Sequence, residues 1–284
     1  MMARAFHLRF QAPLRALPSA PLLMGHYFWF VRLFEGEGRL KEVLERFRHH
    51  PPFRISSAFP RGYLPKPRLP EPLVEETATR KALKNLRFLS MEVFQRVAKE
   101  GLQVLLDNPP SDPEAFRPAQ RVRVGIDRLT GGARKGVLFT ERAQVLIGEW
   151  TVYAVGEVEA HRFPEALRSI GLFGLGGGAS VGLGRFEVVK EEEMELPEAS
   201  SPNAYLTLSP TLPQPGKALF YRVEPYWGRF GGAYALEQPF KRPHLRLLEG
   251  SVLRERDVGG LLAVGFEGKE AYEYLWAFPL GVRV

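Results

Sequence analysis

The 284 residues include no cysteine, which excludes disulfides, thiol nucleophiles and thiolate metal sites together. Histidine is sparse as well, six in all, and no two stand four residues apart, so neither a metal site nor a cofactor is expected. Long apolar runs are missing. The most apolar stretch, Pro21 to Phe34, carries His26 and Arg32 and is shorter than the roughly 20 residues that span a bilayer. From Met1 to Phe10 the chain alternates apolar and polar residues, which reads as a strand and not as a signal peptide. A cytoplasmic protein without membrane association is expected.

Lysine is scarce too: 10 Lys stand against 29 Arg, within a formal net charge of +7. Guanidinium suits bidentate phosphate contacts and base stacking, so nucleic acid leads the candidate partners. Codon bias or adaptation to heat gives the same composition. With 45% apolar residues the chain has enough surface to bury for ordered domains. Its length suggests two, and a proline-rich stretch near 108–120 puts the expected division at 1–110 and 111–284.

In Phe6-His7-Leu8-Arg9-Phe10, residues Phe6, Leu8 and Phe10 fall on one buried face of a strand. Ser19 stands where it would cap a helix with Pro21 in its first turn, and Leu23, Tyr27, Phe30 and Phe34 repeat every three to four residues. Leu40, Val43, Leu44 and Phe47 form a second helical stripe, stopped by Pro51 and Pro52. Residues 58–72 hold five prolines and predict a stiff loop. That loop is either a plain connector or, through Phe59, Arg61, Tyr63 and Lys66, a surface for stacking and phosphate contact. Further helices are expected near 75–86, 90–100 and 164–170. Strands are expected at 53–57, 121–128, 137–139, 150–158 and 185–190, then at 204–208, 219–224, 245–248 and near 274–278. Val122, Val124 and Ile126 should face inward, and 131–136 should form a hairpin tip presenting Arg134 and Lys135. Strands separated by single helices point to an α+β fold, and two ferredoxin-like (RRM-like) βαββαβ modules fit the count.

Between the 164–170 helix and the 185–190 strand, residues 171–184 hold seven glycines. Gly174 to Ala179 spells a dinucleotide fingerprint and Gly178 to Gly182 a nucleophile elbow around Ser180. Both motifs turn from strand to helix, the reverse of the order here. A Walker loop needs a lysine that the segment lacks. Two possibilities remain: a flexible connector, or a backbone surface that approaches a ligand closely. In the second, Gly176, Gly177, Gly178, Ser180, Gly182 and Gly184 form the surface and Arg185 adds charge.

The helix, the glycine-rich loop and Gly182-Leu-Gly-Arg-Phe leading into a strand resemble the signature loop of the RAMP superfamily of CRISPR RNA-binding proteins. Further blocks narrow the resemblance: Ile55 to Pro60 with Tyr63 to Pro67, Leu86 to Ser90, Ile126 to Thr130, Arg242 to Arg246 with Leu248 to Ser251, and Trp276 to Gly281. In this order they look like the sequence blocks of the fourth-subunit family of Csm complexes, the type III-A effectors. Val124 departs from that pattern, where the family often has Asn. The resemblance implies two RAMP-type ferredoxin-like modules, no nuclease activity, and binding of the 5′ tag of the guide RNA (crRNA). It also implies contact with the large polymerase-like Csm subunit and with the adjacent backbone subunit. Asp127 and Arg128 join the RNA-binding candidates through the block Ile126 to Thr130.

His26 lies where RAMP-type processing nucleases place a catalytic histidine. A general base needs a second acid or a cationic stabiliser beside it, and the sequence offers none. The expectation is therefore a non-catalytic RNA-binding subunit. Its rivals are a metal-independent endoribonuclease acting on repeat RNA, the equivalent subunit of a Cmr complex, and a protein-only scaffold.

Overall fold

In the computed structural model, which describes residues 1–70, 77–106, 109–231, 235 and 239–284, β1 (Met2–Phe10) runs through the middle of a sheet. Its alternation is real, but both faces are covered: Phe6 and Leu8 enter one apolar core, Ala3 and Ala5 another. His7 is fully buried between them, its ring bridging Thr151 Oγ1 and Glu192 Oε1 at 2.8 Å each. α1 (Ala20–Phe34) sets Leu23, Tyr27 and Phe30 into the first core, while Phe34 at its end is exposed. Ser19 occupies the N-cap position without capping. The hydroxyl of Ser57 instead accepts the Ala20 amide at 3.0 Å. α2 (Glu37–His49) buries Val43, Leu44 and Phe47, and β2 (Phe53–Ile55) follows.

The expected proline loop contains two short strands, β3 (Phe59–Pro60) and β4 (Tyr63–Pro65); its last residues, 71 and 72, lie outside the described residues. α3 (Thr77–Asn85) comes next, with the expected start at 75 also outside them, then β5 (Phe88–Ser90), which pairs with β4. In α4 (Met91–Glu100) the Ser90 hydroxyl caps the helix, accepting the Val93 amide.

β6 (Phe116–Ile126) and β7 (Ala133–Leu146) form a long two-stranded ribbon paired with no other strand among the described residues. The expected inward face is corrected here. Val122, Val124 and Ile126 are 70%, 41% and 58% exposed, because alternation specifies a face but not what covers it. The turn spans 127–132, so Arg134 and Lys135 open β7 and do not occupy the tip.

β8 (Glu149–Gly156), α5 (Phe163–Phe173) and β9 (Phe186–Glu195) complete the first sheet, ordered β2-β8-β1-β9 with every neighbour antiparallel. Numbered along the chain these are strands two, three, one and four of a strand-helix-strand-strand-helix-strand path, with α1, α2 and α5 on one face. The division expected at 110/111 falls inside the insertion between β3 and β8, both of which belong to this sheet.

A second sheet repeats the same spatial order. It is built from β10 (Ala204–Thr207) and β11 (Ala218–Phe220), then, beyond the hairpin of β12 (Val223–Tyr226) and β13 (His244–Leu247), β14 (Val252–Leu253). A further hairpin of β15 (Leu261–Ala263) and β16 (Tyr272–Tyr274) precedes its last strand, β17 (Pro279–Val282). The order is β11-β14-β10-β17. Among the described residues no α-helix joins these strands; α4, from the insertion, packs against β17 instead. Among the described residues no helix is long and apolar enough to cross a membrane.

Candidate functional site

The glycine segment leaves α5 through Gly174, at φ +96°, and folds back on itself. Leu175 donates its amide to Gly184 O at 2.9 Å, Gly184 donates to Pro13 O at 2.9 Å, and the buried Leu175 and Leu183 anchor the turn. Gly177 and Ser180 are left exposed. Gly177 is not among the residues with positive φ, so its lack of a side chain serves close approach and not backbone conformation.

Two side chains hold this loop. His26 of α1 accepts the Gly176 amide on Nε2 at 2.9 Å, which leaves the ring proton on Nδ1. Arg15 lies against the loop: a Cβ built on Gly177 would stand 3.2 Å from its Nη1. Arg15 pairs with Glu141 of β7, which also takes Arg123 of β6 at 3.4 Å. Burial opposes ionisation of Glu141, but the guanidinia of Arg15 and Arg123 hold its carboxyl below the usual range. Arg15 is thus a pre-positioned cation beside exposed backbone.

The loop helps line a groove of about 2460 Å³ that is also lined by α1 and by the 219–231 segment. Eleven Lys or Arg side chains line it against five Glu, a net of +6 where the whole chain carries +7. Such a cleft attracts and holds a polyanion. Among the described residues no group of three or more His, Asp or Glu is arranged for a metal ion.

The candidates from the sequence divide accordingly. Gly176, Gly177, Gly178, Ser180, Lys66 and Phe59 line the groove. Phe59 needs correction as a stacking residue, since it is 3% exposed and its ring is packed edge-on to Phe88 in the second core. Lys66 Nζ donates to the Leu83 carbonyl. Gly182, Gly184 and Arg185 belong to the loop but not to the lining. Arg61 lies outside the groove, paired with Glu149 at 2.6 Å and Glu192 at 3.7 Å, and Tyr63 is half-buried against the second core. Asp127, Arg128, Arg134 and Lys135 sit at the far end of the ribbon. Asp127 Oδ1 accepts the Thr130 and Leu129 amides, which lower its pKa and shape the turn.

Arg15, Arg246 and Glu249 are lining residues that sequence reasoning did not single out as site residues. Arg246 and Glu249 had a signal, because both fall in the blocks at 242–246 and 248–251. Glu249 accepts a hydrogen bond from Ser57, of the 55–60 block, at 2.5 Å, so blocks distant in sequence meet at the groove.

A pH dependence follows from the latch. Burial pulls the His26 pKa from 6.5 down to about 4. The folded protein keeps this ring neutral where the unfolded chain binds a proton, so stability falls as pH drops below about 6.5 and levels off below about 4. The loss reaches up to about 3 kcal/mol. His161 shifts in the same direction, through burial and then Arg46. Thermal melts between pH 7 and 4.5 check this, and His26→Gln, which cannot titrate, should lose less stability over that interval.

No family model matches the chain. A curated protein of Thermococcus onnurineus (strain NA1), named CRISPR system Cms protein Csm4, is 29% identical over 297 residues, covering 96% of this chain and 94% of that protein. A chain in the crystal structure of a Csm1-Csm4 cassette in complex with pppApA superposes with a TM-score of 0.66 at 24% identity, covering 99% of this chain and 98% of that one. A chain in the crystal structure of a Csm3-Csm4 subcomplex of the type III-A CRISPR-Cas interference complex gives 0.62 at 15% identity, covering 99% of both. The α+β architecture is therefore shared along the whole chain.

Proposed function

We propose that this chain, which belongs to the Csm4 family, is the non-catalytic subunit of a type III-A CRISPR effector that holds the 5′ tag of the crRNA. In that role it bridges the large polymerase-like subunit to the adjacent backbone subunit. The observation that carries the reading is the groove: nearly all of the chain's basic excess lines one cleft whose wall is an exposed glycine backbone with Arg15 beside it. Phosphates would take the amides and guanidinium, leaving bases free to splay. The non-catalytic part is supported by His26, whose Nε2 lone pair is already taken by the Gly176 amide and whose depressed pKa makes the ring a weak base. The strand order common to both sheets supports two ferredoxin-like modules, the second without α-helices of its own among the described residues.

Single-stranded RNA carrying the tag should bind the purified chain with an affinity that falls linearly in log–log form with salt. The RNA should remain intact. Salt-independent affinity would remove the RNA-holding reading, and metal-free cleavage lost on His26→Ala would restore the nuclease.

A further inference from the structure

We propose that the 219–231 lining of the groove carries a base-stacking subsite, with Trp227 as its platform and Tyr221 as a second exposed ring, for one unpaired nucleobase of the strand in the groove. The inference rests on the RNA-holding function proposed above and adds the place where a base is bound. Trp227 and Tyr221 are 55% and 54% exposed and both line the groove, whereas Trp150 and Trp276 are 0% and 8% exposed. Among the described residues no ring or cation stacks on either face of Trp227. A large flat apolar side chain left in water inside a cationic cleft is suited to a π-faced ligand. Arg222 and Arg229, which also line the groove, form no ion pair among the described residues and remain available to the flanking phosphates.

The chain leading to the platform is braced. Next to it in the chain, Tyr226 is flanked by Arg246, whose guanidinium lies 3.8 Å from its ring centroid, and by His244, at 5.6 Å between rings. Arg246 is fixed in turn by Glu224, through Nε at 2.9 Å and Nη2 at 2.6 Å. Spacing to the glycine loop is set by α1. His26 holds Gly176 of the glycine loop, and three residues along the same helix the Trp29 indole meets the chain at Gly231, where an added Cβ would stand 3.1 Å from Nε1. One helix face therefore ties the backbone cradle to the segment bearing the platform. The groove's net positive charge favours a nucleic-acid base over an apolar peptide as the occupant.

The test is a fluorescence titration of the full chain with single-stranded tag RNA and with the same RNA made abasic. The tag RNA should quench tryptophan emission and the abasic RNA should bind more weakly without quenching. Trp227→Ala should lose the quench and bind roughly tenfold to a hundredfold more weakly, at an unchanged salt slope. Trp227→Phe should recover most of the affinity, which separates stacking from a folding defect. If the wild type binds RNA in a salt-dependent way while Trp227→Ala or abasic RNA binds as tightly, the subsite is wrong and the RNA-holding function stands. If the wild type shows no salt-dependent RNA affinity, that function fails and the subsite with it. Quenching by a partner subunit's peptide in place of RNA would also overturn the proposal.

Discussion

Gly184→Ala should be among the most destabilising single substitutions in the glycine segment, lowering stability by about 3 to 5 kcal/mol. A Cβ at this position would stand 2.1 Å from the carbonyl oxygen and 2.6 Å from the nitrogen of Leu175, and both are backbone atoms that cannot rotate away. Relief would require breaking the hydrogen bonds that the Leu175 amide donates to Gly184 O and the Gly184 amide donates to Pro13 O. The residue also sits at φ +73°, where any other L residue is strained. Gly182 is the control. Its φ is +83° but nothing lies within 4 Å of an added Cβ, so Gly182→Ala should cost only about 1 kcal/mol. Denaturant midpoints of the two variants decide the matter, and equal costs would mean that loop strain, not the close approach at Leu175, dominates.

That contrast marks what a sequence can and cannot disclose. Seven glycines announced an unusual backbone, but not that Gly184 serves a contact within the fold while Gly177 leaves space beside Arg15. The periodic elements were legible because their faces repeat: Leu23, Tyr27 and Phe30 are buried where helical spacing puts them. Alternation failed at Val122, Val124 and Ile126, since period two says that residues share a face and is silent on whether another layer exists. Phe59 was open to both readings, because a Phe-Pro pair in a proline-rich stretch suits stacking on a base or packing in a core, and it is insertion residues such as Phe88 that close over it. The first sheet was hidden by distance, because β1 finds both of its partners more than 130 residues away. Arg15 had no motif at all. It reaches the site because residues after β1 run beside the glycine loop and the ribbon, through Gly184 to Pro13 and the Leu14 bridge to Gln144.

Arg15→Ala should reduce affinity for tag RNA by tenfold or more, because a hydrogen bond to a charged group contributes roughly 1.5 to 3 kcal/mol. The salt slope should flatten by about 0.7, the counterion release of one phosphate contact on a single strand. Arg15→Lys should retain the slope and lose part of the affinity, since ammonium keeps the charge without the planar fork. A structural effect is separable. Removing Arg15 leaves the buried Glu141 with Arg123 as its remaining cation, so Arg15→Ala should also melt at a lower temperature. Glu141→Gln in the same chain should restore much of that melting temperature, because an uncharged amide tolerates burial beside a single guanidinium. It should not restore RNA affinity, which depends on the lost cation. Recovery of both would show that Arg15 acts only by holding the ribbon to the loop, and an unchanged salt slope in Arg15→Ala would place the phosphate path elsewhere in the groove.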